Sequence, residues 1–394
     1  MFINMKELKN GIYYVGALNP NLRVFDIIMR TDYGTSYNAY IVKGGEKTAL
    51  IETCHNSFSK VFFDNINEVC KPQDIDYVIC NHTEPDHSGS LVKLIEIKPE
   101  ITVVGTNAAI KNLKSITNTE FNAMPVKAGD SIDLGGRTLK FIPNPNVHWP
   151  DTMFTYLEED KTLFSCDFLG SHYCEPTFTD EWLSHQDAYA DAFHYYYCAI
   201  MGPFKPFVLE GLKKLDGLEI DMVCPSHGPV LINGIKTAMD KYREWSTPAE
   251  KSGKTACIAY VSAYGYTRAM AEAAKGALEG AGYNVECFDI IKHDMAKVAQ
   301  SAHDCDLLLL GSPTINRDAV KPVWDLISNI DPVSCRNKPV YVFGSYGWSG
   351  EAQKNLSERC AGIGLKVLGS SRVCFKPTDA DLKEFTDAVI AAIG

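Results

Sequence analysis

The sequence contains no apolar segment that approaches the ~20 residues needed to span a bilayer; its richest apolar run is Leu307–Leu310. The N-terminal residues lack the apolar core of a signal peptide, so we expect a soluble, cytoplasmic chain that is not exported. Thirteen cysteines are present, but no two form a Cys-x-x-Cys pair. Their spacing excludes rubredoxin-type and most iron–sulfur sites and predicts reduced thiols. Any metal is therefore expected to be held by histidine and carboxylate.

Basic residues are scarce relative to acidic ones, with 38 Lys and Arg against 49 Asp and Glu and a net charge of −11. Residues 251–394 carry 16 of each sign, so the imbalance, 22 basic against 33 acidic, lies in the first 250 residues. Nucleic-acid binding needs clustered Lys and Arg, and this class of function is therefore disfavoured. The length of 394 residues predicts two or three domains.

A linker divides the chain at about residue 250, where proline and glycine punctuate polar residues in Ser246–Pro248 and Lys251–Lys254. We therefore predict domains at residues 1–250 and 254–394. The second domain alternates strands with helices, which predicts a parallel sheet covered on both faces. Its predicted strands are Ala256–Val261, Asn284–Phe288, Leu307–Leu310, Val340–Phe343 and Val367–Val373, with a closing helix over Asp379–Ile393. The first domain has short strands separated by turns and a few helices, so it is predicted as mixed α/β.

The most informative motif of the first domain is His82-x-Glu84-x-Asp86-His87, which follows a predicted strand at Tyr77–Cys80. We expect an open loop to turn these four side chains inward, because a helix does not present this spacing on one face. Further candidate ligands stand in three later strand-end loops: His148, Asp167 and His227.

In this order the seven residues resemble the metallo-β-lactamase superfamily, which implies an αββα sandwich with a two-metal site. Its hydrolases carry a second histidine where this chain has Glu84. Three carboxylates among seven ligands favour iron over redox-silent zinc.

Three loops of the second domain predict a flavin site. Hydroxyls and a glycine at the start of a helix form an anion site, and without a lysine they suit the phosphate of FMN better than a nucleoside triphosphate. The loops after the third and fourth strands supply glycines and aromatic faces for an isoalloxazine ring. Together the loops resemble those of flavodoxin. The candidate FMN contacts are Ser262, Ala263, Tyr264, Gly265, Tyr266, Thr267, Ser312, Pro313, Thr314, Ile315, Asn316, Ser345, Tyr346, Gly347, Trp348 and Gly350.

The two halves together resemble the flavodiiron proteins over the whole chain, including Gly34–Tyr40 and the Trp149 that follows a metal histidine. The resemblance implies one iron held by His82, Glu84 and His148, and a second held by Asp86, His87 and His227. It implies Asp167 as the bridge between them.

The family's activities are reduction of O2 to water and of NO to nitrous oxide. The resemblance further implies electrons from rubredoxin or, as a second choice, a reduced deazaflavin, and a head-to-tail homodimer or dimer of dimers. Tyr197 is a candidate hydrogen-bond donor near bound substrate, with a place among core aromatics as the alternative.

Two other functions stay open on the sequence. The first is a dizinc hydrolase of the metallo-β-lactamase superfamily, which Glu84 disfavours. The second is a non-catalytic flavin electron carrier, which the complete ligand set disfavours. The residues do not distinguish O2 from NO as substrate; we expect O2 turnover at least comparable to NO turnover.

Overall fold

The computed structural model describes residues 6–248 and 253–394, with the side chain of Lys6 excluded. The chain divides into two compact units, residues 1–248 and 249–394, which are described separately below. The predicted boundary at about residue 250 lies outside the described residues.

The first unit contains two mixed sheets. In sheet order, the strands of the larger one are Lys6–Lys9, Ile12–Tyr14, Tyr40–Lys43, Thr48–Ile51, Tyr77–Ile79, Thr102–Gly105 and Asn122–Pro125. Those of the smaller one are Ser131–Asp133, Thr138–Pro143, Met153–Leu157, Thr162–Cys166 and Met222–Pro225. Small two-stranded pairs are formed by Ala17–Asn19 with Thr35–Tyr37 and by Val24–Phe25 with Met29–Arg30.

The two sheets pack face to face, and helices cover both outer faces. One apolar core joins Ile51 and Ile79 of the larger sheet to Phe141 and Phe164 of the smaller one. The helices against the larger sheet are Ser59–Val69, Leu91–Ile97 and Asn107–Thr117. Those against the smaller sheet are Gln186–Tyr196, Lys205–Leu215 and Ile235–Ser246. The first unit is therefore the expected αββα sandwich.

The second unit is built on a five-stranded sheet in which every neighbouring pair is parallel. In sheet order its strands are Tyr283–Asp289, Lys254–Tyr260, Leu307–Gly311, Pro339–Tyr346 and Lys366–Cys374. Tyr266–Gly280 and Asp379–Ile393 cover one face, and Met295–Asp304, Lys321–Ser328 and Ala352–Gly362 cover the other. The second strand in sequence thus lies at one edge of the sheet, next to the first strand. The later strands are added on the other side of the first strand, so the strand order reverses there. The predicted doubly wound parallel fold is confirmed.

Within the described residues, no helix is both long and apolar enough to cross a membrane.

Candidate metal centre and flavin-binding loops

The His82–His87 motif begins in a loop and ends in a helix. His82 and Glu84 follow the strand Tyr77–Ile79, but Pro85–Ser88 form a single helical turn that carries Asp86 and His87. The expectation of an open loop throughout is therefore wrong. Pro85 stands at the start of the turn, where its fixed φ favours a helix and its missing N–H leaves no donor unpaired.

The other three candidate ligands come from the smaller sheet. His148 lies between the strands Thr138–Pro143 and Met153–Leu157, Asp167 directly follows Thr162–Cys166, and His227 follows Met222–Pro225. The three strands that precede these residues run in the same direction, so the residues meet at one edge of the sheet.

The structure brings all seven candidates together as two groups. In each group the nitrogen and oxygen atoms that could bind a metal lie within 4.8 Å of one another. One group is His82, Glu84, His148 and Asp167, and the other is Asp86, His87 and His227.

Asp167 faces both groups, one carboxylate oxygen to each. Its Oδ2 lies 3.1 Å from His148 Nε2 and 3.6 Å from His82 Nε2. Its Oδ1 lies 3.2 Å from His87 Nε2 and 3.5 Å from His227 Nε2. A carboxylate in this arrangement can bridge two metal ions.

The donor set fits a pair of transition-metal ions. Asp86 is buried, and neither of its oxygens has a hydrogen-bond partner among the described residues; Oδ2 lies 3.1 Å from His227 Nε2 without hydrogen-bond geometry. Buried polar atoms are normally paired, so these lone pairs have room for a cation. Four imidazoles and three carboxylates are ligands that suit iron.

The charges of the group also favour a cation. Burial alone would raise the pKa of Asp86, but His87 and His227 outweigh burial and lower it to about 2. Burial alone would lower the pKa of His82, but its hydrogen bonds to Asp151 and Glu84 outweigh burial and raise it to about 9. Without metal, ionised carboxylates thus hold protonated imidazoles, and a bound cation takes the place of those protons.

Sequence reasoning missed the groups that orient the histidines. Asp151 is fully buried, and its Oδ2 accepts hydrogen bonds from His82 Nδ1 at 3.2 Å and from the N and Oγ1 of Thr83, each at 2.9 Å. His227 Nδ1 lies 2.6 Å from the carbonyl oxygen of Ser36, to which it donates. Both contacts leave Nε2 as the metal-binding nitrogen. The one signal for Asp151 was its position three residues after His148.

Tyr197 does not reach this group. Its hydroxyl pairs with Ser246 Oγ at 2.7 Å, and its ring packs against Tyr242 and Trp245. Tyr197 is therefore a core aromatic residue, which was the alternative prediction. Its neighbour Tyr196 donates a 3.1 Å hydrogen bond to Asp167 Oδ1.

A pocket of about 210 Å³ reaches the candidate ligands. Glu84, Asp86, His148, Asp167 and His227 all contribute to its lining. The rest of the wall includes Phe25, Ile28, Tyr196 and Ile200. Asp26 and His172 also line the pocket, so the wall opposite the ligands is mixed, and the space is large enough to admit a diatomic gas.

The three predicted flavin loops meet at the carboxyl edge of the second unit's sheet. Thr267 Oγ1 lies 2.9 Å from Ser345 Oγ, which joins the first loop to the third. A Cβ on Gly344 would lie 1.8 Å from the carbonyl oxygen of Ser312, so glycine is needed where the second and third loops touch.

Parts of these loops are regular structure. Tyr266 and Thr267 open a helix, Ser345 and Tyr346 end a strand, and Thr314–Ile315 pairs with Asp318–Ala319.

The residues present at this edge fit FMN. The 15-residue helix Tyr266–Gly280 begins after Gly265, whose φ is +86°. Ser262 Oγ accepts a 3.2 Å hydrogen bond from the backbone N of Arg268, which leaves the N–H groups of the first two helical residues for a phosphate. Tyr264 and Trp348 are 85% and 97% exposed, which leaves aromatic faces available for an isoalloxazine ring. A bound ring would cover part of this exposed aromatic surface.

The comparisons with known proteins agree with this geometry. Residues 35–228 match the model described as ODP family beta lactamase, and residues 258–387 match the flavodoxin model. The chain is 46% identical over 385 residues to the flavo-diiron protein FprA2 of Clostridium acetobutylicum, covering 96% of each chain. It is 34% identical over 366 residues to a nitric oxide reductase of Moorella thermoacetica, covering 92% of this chain and 90% of that one.

Among solved structures, rubredoxin oxygen:oxidoreductase from Desulfovibrio gigas has a TM-score of 0.71 at 27% identity, covering 99% of this chain and all of the other. The flavodiiron protein from Giardia intestinalis has a TM-score of 0.69 at 27% identity, covering 100% of this chain and 98% of the other. The chain therefore belongs to the flavodiiron protein family.

Proposed function

We propose that this protein is a flavodiiron oxidoreductase that reduces O2 to water, NO to nitrous oxide, or both. The observation that carries the proposal is Asp167, whose two oxygens face two separate groups of nitrogen and oxygen donors. His82, Glu84 and His148 would hold one iron. Asp86, His87 and His227 would hold the second, with Asp167 as the bridge.

A bound iron pair would supply open positions for the gas and the electrons to reduce it. The chain's own residues hold and orient the site. Asp151 and the carbonyl of Ser36 fix two histidine rings through Nδ1, and the Tyr196 hydroxyl holds one oxygen of Asp167. Apolar side chains, among them Phe25 and Ile200, form part of the wall of the pocket that reaches the ligands.

FMN would bind at the three loops of the second unit and pass electrons from a donor to the metal site. The helix start at Gly265–Thr267 would take the phosphate, and Tyr264 and Trp348 would flank the ring. The remaining loop residues named above would line the site. These assignments are supported by the helix geometry and by the exposure of both aromatic rings.

We further propose a rubredoxin-type electron donor. One relative is named for rubredoxin and oxygen, and another is an anaerobic nitric oxide reductase flavorubredoxin from Aeromonas hydrophila. A head-to-tail homodimer or dimer of dimers, with FMN of one subunit serving the irons of another, follows from the family resemblance alone. The thirteen unpaired cysteines of the described chain support a reducing compartment such as the cytoplasm.

The test combines metal analysis with gas consumption by the purified protein, using one reduced rubredoxin as donor. We expect two irons and one FMN per chain, and O2 consumption at least comparable to NO consumption. Two zincs without iron would support the dizinc hydrolase instead, and an iron-loaded protein inert to both gases would support the electron carrier. An NO rate ~10-fold above the O2 rate, about 1.4 kcal/mol in barrier, would reverse the expected preference.

A further inference from the structure

Glu52 is a buried carboxylate beside the metal centre that none of the assignments above uses. It directly follows the strand Thr48–Ile51, and only 2% of it is exposed. Its Oε1 accepts a 2.9 Å hydrogen bond from the backbone N of Asn81, whereas its Oε2 has no hydrogen-bond partner among the described residues. A buried carboxylate oxygen without a donor is costly, so the environment of Oε2 needs an explanation.

The backbone of Glu52 is held in a conformation that glutamate rarely adopts. Its φ is +61°, in the left-handed region, although its N still donates to the carbonyl of Ile79 at 2.9 Å. Such conformations persist in a non-glycine residue where the surroundings determine them, and they concentrate at functional sites. Here the turn directs the side chain away from the regular strand and towards His87.

The side chain that faces Oε2 is His87. Its Nδ1 lies 4.0 Å from Glu52 Oε2, and its Nε2 lies 3.2 Å from Asp167 Oδ1 on the opposite side of the ring. The next residue, Thr53, binds the carbonyl oxygen of His87 twice, through its N at 3.0 Å and its Oγ1 at 2.5 Å. The segment Glu52–Thr53 therefore contacts both the backbone and the ring of His87.

We propose that Glu52 is a positioning residue: its Oε2 accepts the Nδ1–H of His87 and thereby presents Nε2 of His87 to the metal. The proposal rests on the proposed function, because it requires a metal pair at this site. A histidine ligand is usually oriented by an acceptor on its second nitrogen. Asp151 has this role for His82, so each of the two ligand groups would contain one histidine oriented by a carboxylate.

The separation of 4.0 Å is ~1 Å longer than a hydrogen bond, so the ring or the carboxylate must move by that amount when metal binds. The competing acceptor is Cys166, whose Sγ also lies 4.0 Å from His87 Nδ1. A thiol sulfur is a weak acceptor, whereas a carboxyl oxygen is a strong one. Glu52 is thus the stronger partner at the same distance.

Glu52→Gln tests the proposal because an amide cannot satisfy both neighbours. If its oxygen accepts from Asn81 N, its NH2 opposes the Nδ1–H of His87; if the amide is reversed, its NH2 opposes Asn81 N. Glu52→Asp keeps the charge on a shorter side chain and serves as the conservative variant. Cys166→Ala removes the competing acceptor and serves as the matched control.

The readouts are iron retention under a chelator and the Mössbauer spectrum of 57Fe-loaded protein, neither of which depends on turnover. In Glu52→Gln we expect one iron of the pair to be removed at ~10–100-fold lower chelator concentration, with one of two iron signals altered. Glu52→Asp should recover part of this loss, and Cys166→Ala should match the wild type. Full FMN content and an unchanged thermal unfolding temperature would show that the variants fold.

Wild-type chelator resistance in Glu52→Gln, equal loss of both irons, or selective loss in Cys166→Ala would each overturn the proposal. A crystal structure of the iron-loaded wild type provides a measurement that needs no variant. It should place His87 Nδ1 within ~3.2 Å of Glu52 Oε2, and a ring turned with Nδ1 towards the metal would overturn it. A wild type without iron would instead refute the proposed function.

Discussion

Replacing Asp151 by asparagine should weaken one metal site of the pair and leave the other unchanged. The substitution preserves shape and removes the charge from a side chain that is fully buried. Of the seven candidate ligands, only His82 forms a hydrogen bond with Asp151 among the described residues; the other donors are Thr83 and, at 3.4 Å, Asn112. The effect is therefore expected in the group that contains His82.

The size of the effect follows from the bonds that remain. An asparagine oxygen directed at His82 and Thr83 keeps the three hydrogen bonds of Oδ2. Its NH2 then faces Asn112, whose amide can reverse only by giving up its 3.1 Å hydrogen bond to Thr83 Oγ1. The change is thus from a charged acceptor, worth ~1.5–3 kcal/mol per bond, to a neutral one, worth ~0.5–1.5 kcal/mol. For the bond to His82 the loss is about 1–1.5 kcal/mol, or ~10-fold in metal affinity.

The assay is a competition titration of the metal-free protein with ferrous iron and a coloured chelator under anaerobic conditions. Asp180→Asn is the matched control: Asp180 also accepts three hydrogen bonds, from the backbone N–H groups of Ile232, Asn233 and Gly234, but it does not contact the site. Unchanged affinities in Asp151→Asn, equal weakening of both sites, or the same weakening in Asp180→Asn would refute the reasoning.

Four further substitutions, two of them with matched controls, test other parts of the molecule. Asp167→Ala should lower the content of both irons and His148→Ala that of one, and both should abolish gas reduction with FMN retained; full iron and full activity in either variant would contradict the ligand assignment. Gly344→Ala places a Cβ 1.8 Å from the Ser312 carbonyl and should lower FMN content at a cost of ~1–3 kcal/mol in stability, with iron retained, whereas Gly276→Ala meets no atom within 4 Å and should bind FMN normally. Tyr196→Phe removes the hydrogen bond to Asp167 and should slow gas reduction, measured with an oxygen electrode, whereas Tyr197→Phe should not.

The fold of the second unit was predictable because its local signals agree with its packing. The predicted helix Asp379–Ile393 has the same bounds in the structure, where Thr378 and Asp381 form a capping box. The first unit gave weaker signals. Every residue of the strands Met153–Leu157 and Thr162–Cys166 is buried, so these strands show no polar alternation. The turn Pro85–Ser88 is too short for a helical period to be detected.

The candidate ligands could be found from sequence because four of them lie within six residues, but the groups that orient them could not. Asp151 is 69 residues from His82 in the chain, and Glu52 is 35 residues from His87. Tyr196 and Tyr197 are indistinguishable by type. They differ because adjacent residues of a helix point ~100° apart, so the two hydroxyls reach different partners, Asp167 and Ser246. Such contacts depend on tertiary register, which no local pattern encodes.

The charge of the site argues for iron more strongly than the ligand list alone. Glu84 stands where hydrolases of the superfamily have a neutral histidine, and Asp151 and Glu52 add two carboxylates that contact histidines of the site. With the histidines neutral, the carboxylates of Glu84, Asp86, Asp167 and Asp151 match the four positive charges of two divalent ions. Burial raises the pKa of Glu52 to about 8, so Glu52 adds a fifth negative charge once it ionises. Buried anions stabilise a more highly charged metal state, because opposite charges interact strongly where water is excluded. Iron can reach that state by giving up an electron and zinc cannot, so the same residues that hold the pair also favour its use in reduction.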